Sequence, residues 1–81
     1  MIRIFTDFNA RGDYGVPLYL PGSHKDILRK KIELREGLHV TVYDDTYQAE
    51  GIVHNTRGEW YARIVDGTGR PRHAEPTDVI P

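Results

Sequence analysis

The sequence predicts a mainly β fold with one short helix, arranged as a small barrel that follows an N-terminal strand, a hairpin and the helix. From Leu38 onward, short segments of β-branched and aromatic residues alternate with turn residues at the close spacing of an all-β barrel. Only one segment, 23–33, carries helix signals. We expect a single domain over 1–81, divided into strand and hairpin (1–22), short helix (23–33) and barrel (34–81).

Composition narrows the class of protein. The 81 residues include 11 Lys and Arg, 12 Asp and Glu, and no Cys, so the net charge is −1. The absence of cysteine excludes a disulfide scaffold and a cysteine-ligated metal site. No apolar run approaches the ~18 residues that cross a bilayer, and the first residues do not read as a signal or transit peptide. We therefore expect a cytoplasmic protein without a membrane partner.

The N-terminal segment reads as a strand pair. In residues 2–8, Ile2, Ile4, Thr6 and Phe8 alternate with other side chains, which is a strand pattern. The glycines and proline of 9–17 predict a loop. A hairpin between residues 2–8 and 17–20 is expected, with an edge that could pair with a second copy of the chain.

The helix is predicted from His24 to Ile32. Ser23 is a candidate N-cap, and the acidic Asp26 suits the positive end of a helix. Apolar residues at 27, 28 and 32 form one stripe. Because so short a helix is unstable alone, the stripe must pack on an apolar surface.

Strands are predicted at Leu38–Tyr43, Tyr47–Asn55, Trp60–Val65 and, weakly, Arg70–Ala74, followed by one helical turn at 76–80. Four-residue turns at 44–47 and 56–59 set the register of the first three strands, and a slip of one residue would invert every side chain. Gly51 then allows a bend or a close approach of a neighbour. The predicted core is Leu38, Val40, Val42, Ala49, Val53, Trp60, Ala62 and Ile64.

The opposite face of these strands is the candidate binding surface. The same register places His54 beside Tyr61 and sets His39 and Arg63 on either side of Ile52. Mixed aromatic and cationic patches are favoured at protein interfaces, although such residues also occur on sheets for strand propensity alone. We expect a partner protein or a second copy to bind at His39, Ile52, His54, Tyr61 and Arg63.

Nucleic-acid binding is the alternative. Its candidate residues are Lys25, Arg29, Lys30, Arg57, Arg63, Arg70 and Arg72. The charge distribution disfavours it, because residues 24–37 carry five cations and three anions whereas 38–55 carry three anions and no cation. Nucleic-acid binders usually present an uncompensated basic face.

Enzymatic or metal chemistry is the third hypothesis, resting on His39, His54 and Glu50. The histidines lack metal-ligand spacing, and Asp44 and Asp45 are consecutive turn residues. Ser23 is the only serine, so a Ser-His-Asp site is disfavoured. We predict no catalytic residue, no metal ligand and no cofactor.

The segment 34–43, an apolar residue and a glycine before alternating valines, resembles the strand entry of SH3-like barrels, including the KOW and Tudor-like branches. Glu59-Trp60-Tyr61-Ala62-Arg63 resembles their middle strand, and Gly69 with 76–79 their closing turn. Peptide-binding members carry two tryptophans there. Glu59 occupies the position of the first of these tryptophans, so the resemblance implies no proline-binding groove. The opening residues 4–9 resemble the start of small uncharacterised bacterial proteins.

The leading interpretation is a small non-catalytic protein-interaction module, because no catalytic constellation is visible and the outer face of the sheet carries an aromatic and cationic patch. Its partner would be another protein or itself.

Overall fold

The computed structural model describes residues 2–72 and shows a mainly β domain with one α-helix, as predicted. Its sheet is strongly curled and forms a half-barrel. The elements are β1 (Arg3–Phe5), a 3-10 turn (Phe8–Ala10), β2 (Val16–Pro17), α1 (Pro21–Arg29), β3 (His39–Tyr43), β4 (Tyr47–Thr56), β5 (Glu59–Ile64) and β6 (Arg70–Pro71).

The N-terminal segments do not form the predicted hairpin. The strand order is β1-β3-β4-β5-β2, so β1 and β2 lie at opposite ends of the sheet, with β6 beside β4. β1 runs parallel to β3, and β2 runs antiparallel to β5. Strands of two and three residues would share few hydrogen bonds with each other. Pairing with the longer strands instead buries Ile4 and Val16 completely.

The curl of the sheet brings its two ends together at one point. The Thr6 hydroxyl, just after β1, donates a hydrogen bond to the carbonyl oxygen of Pro17 in β2 at 2.7 Å. Thr6 is fully buried, so this bond satisfies a polar group inside the protein. A single side chain therefore links the first and last strands of the sheet order.

Both predicted registers of the β3–β4–β5 meander are confirmed. Tyr43 lies opposite Gln48 and Val53 lies opposite Ala62. A Cβ on Gly51 would lie 3.0 Å from the Cβ of Ala62, so this glycine allows the close approach. Of the predicted core, five residues are buried and Leu38, Trp60 and Ile64 pack partly exposed against them; the N-terminal part adds Ile4, Val16 and Leu18.

The helix differs from the prediction in its bounds and its buried face. It begins at Pro21, whose fixed φ suits a first helical position. Leu20 is the N-cap and makes no side-chain cap, so the predicted capping role of Ser23 is wrong. Ile27 packs against the core, but Leu28 is 76% exposed. The buried residues within the helix are Ser23 and Asp26.

These two polar residues occupy the free edge of β1. The Ser23 hydroxyl donates to the Phe5 carbonyl oxygen at 2.6 Å, and the Asp26 carboxylate accepts from the Phe5 backbone N–H at 3.0 Å. The Lys30 ammonium donates to the Arg3 carbonyl oxygen at 2.9 Å. Side chains thus cover the edge that the sequence offered for pairing with a second copy, a known protection of edge strands.

The last strand is short. β6 contains Arg70 and Pro71 and pairs with β4 through Gln48 and Tyr47. Between β5 and β6, the Thr68 hydroxyl accepts from the Glu50 N–H and donates to the Val65 carbonyl oxygen. The predicted strand residues 73–74, the helical turn at 76–80 and the resembling turn at 76–79 lie outside the described residues.

Asp44 organises the β3–β4 turn, and its titration gives a testable pH dependence. Burial would raise its pKa, but hydrogen bonds from the backbone N–H groups of Thr46, Phe8 and Tyr47 outweigh burial and hold the pKa below its ordinary value. A depressed pKa contributes stability that is present above the unfolded pKa and lost as pH falls through the folded pKa.

We expect Asp44→Asn to lower the free energy of unfolding by about 1–2 kcal/mol at neutral pH, because the turn loses charge-assisted hydrogen bonds. Urea unfolding from about pH 6 to about pH 2 should show this deficit shrinking as the wild-type carboxylate is protonated. Asp45→Asn is the matched control at an exposed neighbour. A deficit that stays constant over this range would contradict the prediction.

Candidate functional site

The structure brings together the residues predicted for the outer face. His39 lies opposite Ile52, Ile52 opposite Arg63, and His54 opposite Tyr61. His39 and Arg63 are exposed, whereas the other three are half-buried. These pairings follow from the confirmed register, and the five residues share the outer face because alternate residues of a strand point to the same side of the sheet.

His54 is tied into this surface through both ring nitrogens. Its ring stacks on Tyr61 with centroids 5.8 Å apart and planes inclined by 23°. The Nε2 atom lies 2.7 Å from the Tyr14 carbonyl oxygen, which can only accept, so Nε2 carries a proton and donates. The Nδ1 atom lies 2.9 Å from the Thr56 hydroxyl. In this arrangement neither nitrogen is available as a general base or a metal ligand.

Two tyrosines outside the predicted binding residues complete the surface. The Tyr14 and Tyr19 rings meet Tyr61 edge-on, at centroid distances of 5.4 and 5.7 Å. They are 37% and 43% exposed. We name Tyr14, Tyr19, His54 and Tyr61 the tyrosine patch. Its members come from the loop before β2, the segment after β2, β4 and β5, so no local pattern joins them.

A tight turn positions Tyr14 over β5. Gly12 and Gly15 exchange backbone hydrogen bonds of 2.9 and 3.1 Å, which leaves Asp13 and Tyr14 as the two turn residues. Gly15 has a φ of 106°, and a Cβ there would overlap the carbonyl oxygen of Ala62. Glycine is therefore required at 15 both for the turn and for the close contact with β5.

Charged residues flank the tyrosine patch along β5. Glu59, Tyr61 and Arg63 alternate with the inward-facing Trp60 and Ala62, so they share the outer face. Partial desolvation raises the pKa of Tyr61, and the nearby Tyr19 hydroxyl and Glu59 carboxylate add to this rise. An anion and a cation thus lie on either side of the central tyrosine.

The basic residues separate into different regions. Arg3, Arg72 and Lys30 surround the Tyr43 ring, at 4.6, 5.0 and 5.9 Å from its centroid. Arg70 lies next to them, opposite Gln48. Lys25 and Arg29 are on α1, Arg57 is at the β4–β5 turn, and Arg63 flanks the tyrosine patch. The sequence analysis omitted Arg3, because nothing local links it to Arg70 or Arg72.

Two surface clefts share Arg3. One, of about 220 Å³, is lined by Arg3, Thr41, Gln48, Ala49, Glu50, Thr68 and Arg70. The other, of about 460 Å³, is lined by Ile2, Arg3, Lys30 and Ile32. Neither cleft includes a residue of the tyrosine patch.

The third hypothesis gains no geometric support within residues 2–72. Glu50 lies in the smaller cleft with Arg3 and Arg70, whereas His54 is committed to the tyrosine patch. This part of the chain places no three histidine or carboxylate side chains where they could hold a metal ion. The helical segments in it are too short and too polar to traverse a bilayer.

No family model, curated protein or solved structure matches this chain.

Proposed function

We propose that this protein is a non-catalytic interaction module that docks on a second copy of itself through the tyrosine patch. The observation that carries the proposal is the convergence of three tyrosines from separate segments on one face, two of them more than a third exposed. Tyrosine buries a large area at low cost in conformational entropy and keeps a polar hydroxyl for hydrogen bonding.

Charge complementarity favours a second copy as the occupant. On β5, Glu59 and Arg63 lie two residues before and after Tyr61 on the same face. In a two-fold symmetric contact, the same surface meets itself. An axis near Tyr61 with antiparallel β5 strands sets each Glu59 against the Arg63 of the other copy. Two ion pairs then flank a centre of tyrosine rings.

We also propose that the half-barrel is a divergent SH3-like domain of the KOW or Tudor-like branch, located in the cytoplasm. The antiparallel β3–β4–β5 meander with its inward valines supports the assignment. The parallel pairing of β1 with β3 is a departure that this assignment has to accommodate. An experimental structure of the full chain tests the fold, and fractionation of the native cells tests the location.

Light scattering over a range of protein concentrations tests the self-association. We expect a concentration-dependent dimer, and we expect Tyr61→Ala to weaken it about 30-fold, as the loss of a central tyrosine does at protein interfaces. Glu59→Arg and Arg63→Glu should each weaken it, because each sets like charges opposite each other. The double variant Glu59→Arg/Arg63→Glu should restore the dimer.

Lys25→Glu is the matched control, since it reverses one charge on the exposed side of α1, outside the tyrosine patch. It should leave the dimer unchanged. A monomer at every concentration would overturn the proposal. Failure of the double variant to restore the dimer would also overturn it. An equal loss of dimer in Lys25→Glu and Arg63→Glu would overturn it as well.

A further inference from the structure

We infer that the cleft between Arg3 and Arg70 binds a phosphate monoester, at a site separate from the tyrosine patch. The cleft spans β1, β3, β4 and β6 on the outer face of the sheet. The inference goes beyond the proposed self-association and does not depend on it.

The sheet register sets the two arginines diagonally across the cleft, two residues out of line, because Thr41 pairs with Glu50 whereas Gln48 pairs with Tyr43. Arg3 lies opposite Thr41 on β3, and Gln48 on β4 lies opposite Arg70. Three strand spacings separate β1 from β6, or about 14 Å along the sheet. Arginine side chains are long enough to reach over the cleft from both sides, with Thr41 and Gln48 on its floor.

The polar groups of the cleft carry donors that no described residue accepts from. Within residues 2–72, neither Arg3 nor Arg70 forms an ion pair, and the side chains of Thr41 and Gln48 make no hydrogen bond to protein. The Tyr43 ring holds the Arg3 guanidinium by a cation–π contact, which restricts its position without using its N–H groups on an anion. Two guanidiniums and two neutral donors therefore point to an anionic ligand.

The number of donors favours phosphate over carboxylate. One guanidinium fork engages both oxygens of a carboxylate and balances its single negative charge. A phosphate monoester presents three terminal oxygens and up to two negative charges, which suits two forks and neighbouring neutral donors. Arginine is accordingly preferred where phosphate is recognised.

The larger cleft fits the organic part of such an ester. It shares Arg3 with the smaller cleft, and Ile2 and Ile32 contribute apolar surface beside Lys30. Its volume of about 460 Å³ falls in the usual range for small-molecule sites. A ligand of the size of a mononucleotide, with its phosphate between the arginines and its apolar or flat part over the isoleucines, spans both clefts.

Glu50 gives the inference a directional test. Its side chain lines the same cleft, so its carboxylate repels an incoming phosphate. Glu50→Gln should therefore tighten binding, whereas Arg3→Gln and Arg70→Gln should each weaken it about tenfold, since each removes a charge-assisted contact. If these residues served folding alone, Glu50→Gln would not raise the affinity for the ligand while Arg3→Gln and Arg70→Gln lower it.

We would titrate the full chain with adenosine monophosphate, phenyl phosphate, adenosine and a short oligothymidylate, and follow backbone amide shifts by NMR. We expect the two monoesters to shift Thr41, Gln48, Glu50 and Arg70, adenosine to shift none of them, and added salt to weaken binding. The order of affinity should be Glu50→Gln, wild type, then Arg3→Gln and Arg70→Gln. Backbone spectra of the unliganded variants show that each is folded.

Arg57→Gln is the matched control, because it removes a charge at the far end of β4, about 30 Å from Gln48. It should leave the affinity unchanged. Binding of neither monoester, equal shifts with adenosine, or an equal loss in Arg57→Gln would overturn the inference. Binding of the oligonucleotide alone would also overturn it and assign the cleft to the backbone of a nucleic-acid strand.

Discussion

Asp26→Ala is expected to lower the free energy of unfolding by about 3 kcal/mol, a large share of the stability of a small domain. Asp26 is 8% exposed, and its carboxylate accepts from the Phe5 backbone N–H at 3.0 Å and from the Tyr43 hydroxyl at 2.6 Å. The Lys30 ammonium lies 3.8 Å from it. Removing the carboxylate leaves two partly buried donors without a partner and removes one of the hydrogen bonds that hold α1 to the edge of β1.

Urea unfolding measures this loss, and Asp45→Ala is the control, since an exposed turn carboxylate should change stability by less than about 0.5 kcal/mol. Burial raises the pKa of the Tyr43 hydroxyl, and its hydrogen bond and charge interaction with Asp26 raise it further. In Asp26→Ala that pKa should therefore move back towards its ordinary value, as seen from the Tyr43 ring resonances. A variant as stable as Asp45→Ala would contradict the prediction.

Gly15→Ala is expected to be about as damaging, with a loss of about 3 kcal/mol. The φ of 106° at Gly15 is unfavourable for any residue with a side chain, and the new Cβ would overlap the Ala62 carbonyl oxygen in the middle of β5. Backbone cannot move aside as a flexible side chain can. The turn that carries Tyr14 must then shift, and the His54 Nε2 atom loses its acceptor.

Gly58→Ala separates the two causes. Gly58 has a φ of 85°, but nothing lies within 4 Å of a Cβ built there. This control carries the backbone strain without the overlap and should cost about 1 kcal/mol. Thermal or urea unfolding of both variants compares them directly. Equal losses would show that the contact with Ala62 contributes nothing.

The β3–β4–β5 meander could be predicted because its determinants are local. Each hairpin has a turn of defined length, and the alternation of valines with polar residues allows only one register to bury the apolar side chains. His54 therefore had to lie beside Tyr61, and Asp44 had to use its side chain within its own turn. The position of His54 on the candidate surface was therefore predictable from the alternation of side chains along the strands alone.

The roles of Ser23 and Asp26 could not be predicted from the local sequence. Near a helix start, their oxygens are typical partners for the free N–H groups of the first turn. The same oxygens can serve any unsatisfied backbone group nearby. The edge of β1 supplied two such groups at Phe5, a carbonyl oxygen that accepts from the Ser23 hydroxyl and an N–H that donates to the Asp26 carboxylate. These two bonds to a distant strand determined which way the helix faces.

The amino-acid sequence by itself determined the mainly β class, the meander, its inner valines and the outer row of His54, Tyr61 and Arg63, because these depend on neighbours in the chain. Tertiary structure alone decided which strands β1 and β2 pair with, and hence that Tyr14 and Tyr19 join Tyr61 and that Arg3 and Arg70 line one cleft. The physical reason is that β1 and β2 have too few hydrogen-bonding groups to define a partner locally. They pair where the curled sheet can bury Ile4 and Val16, and every contact across the sheet follows from that choice.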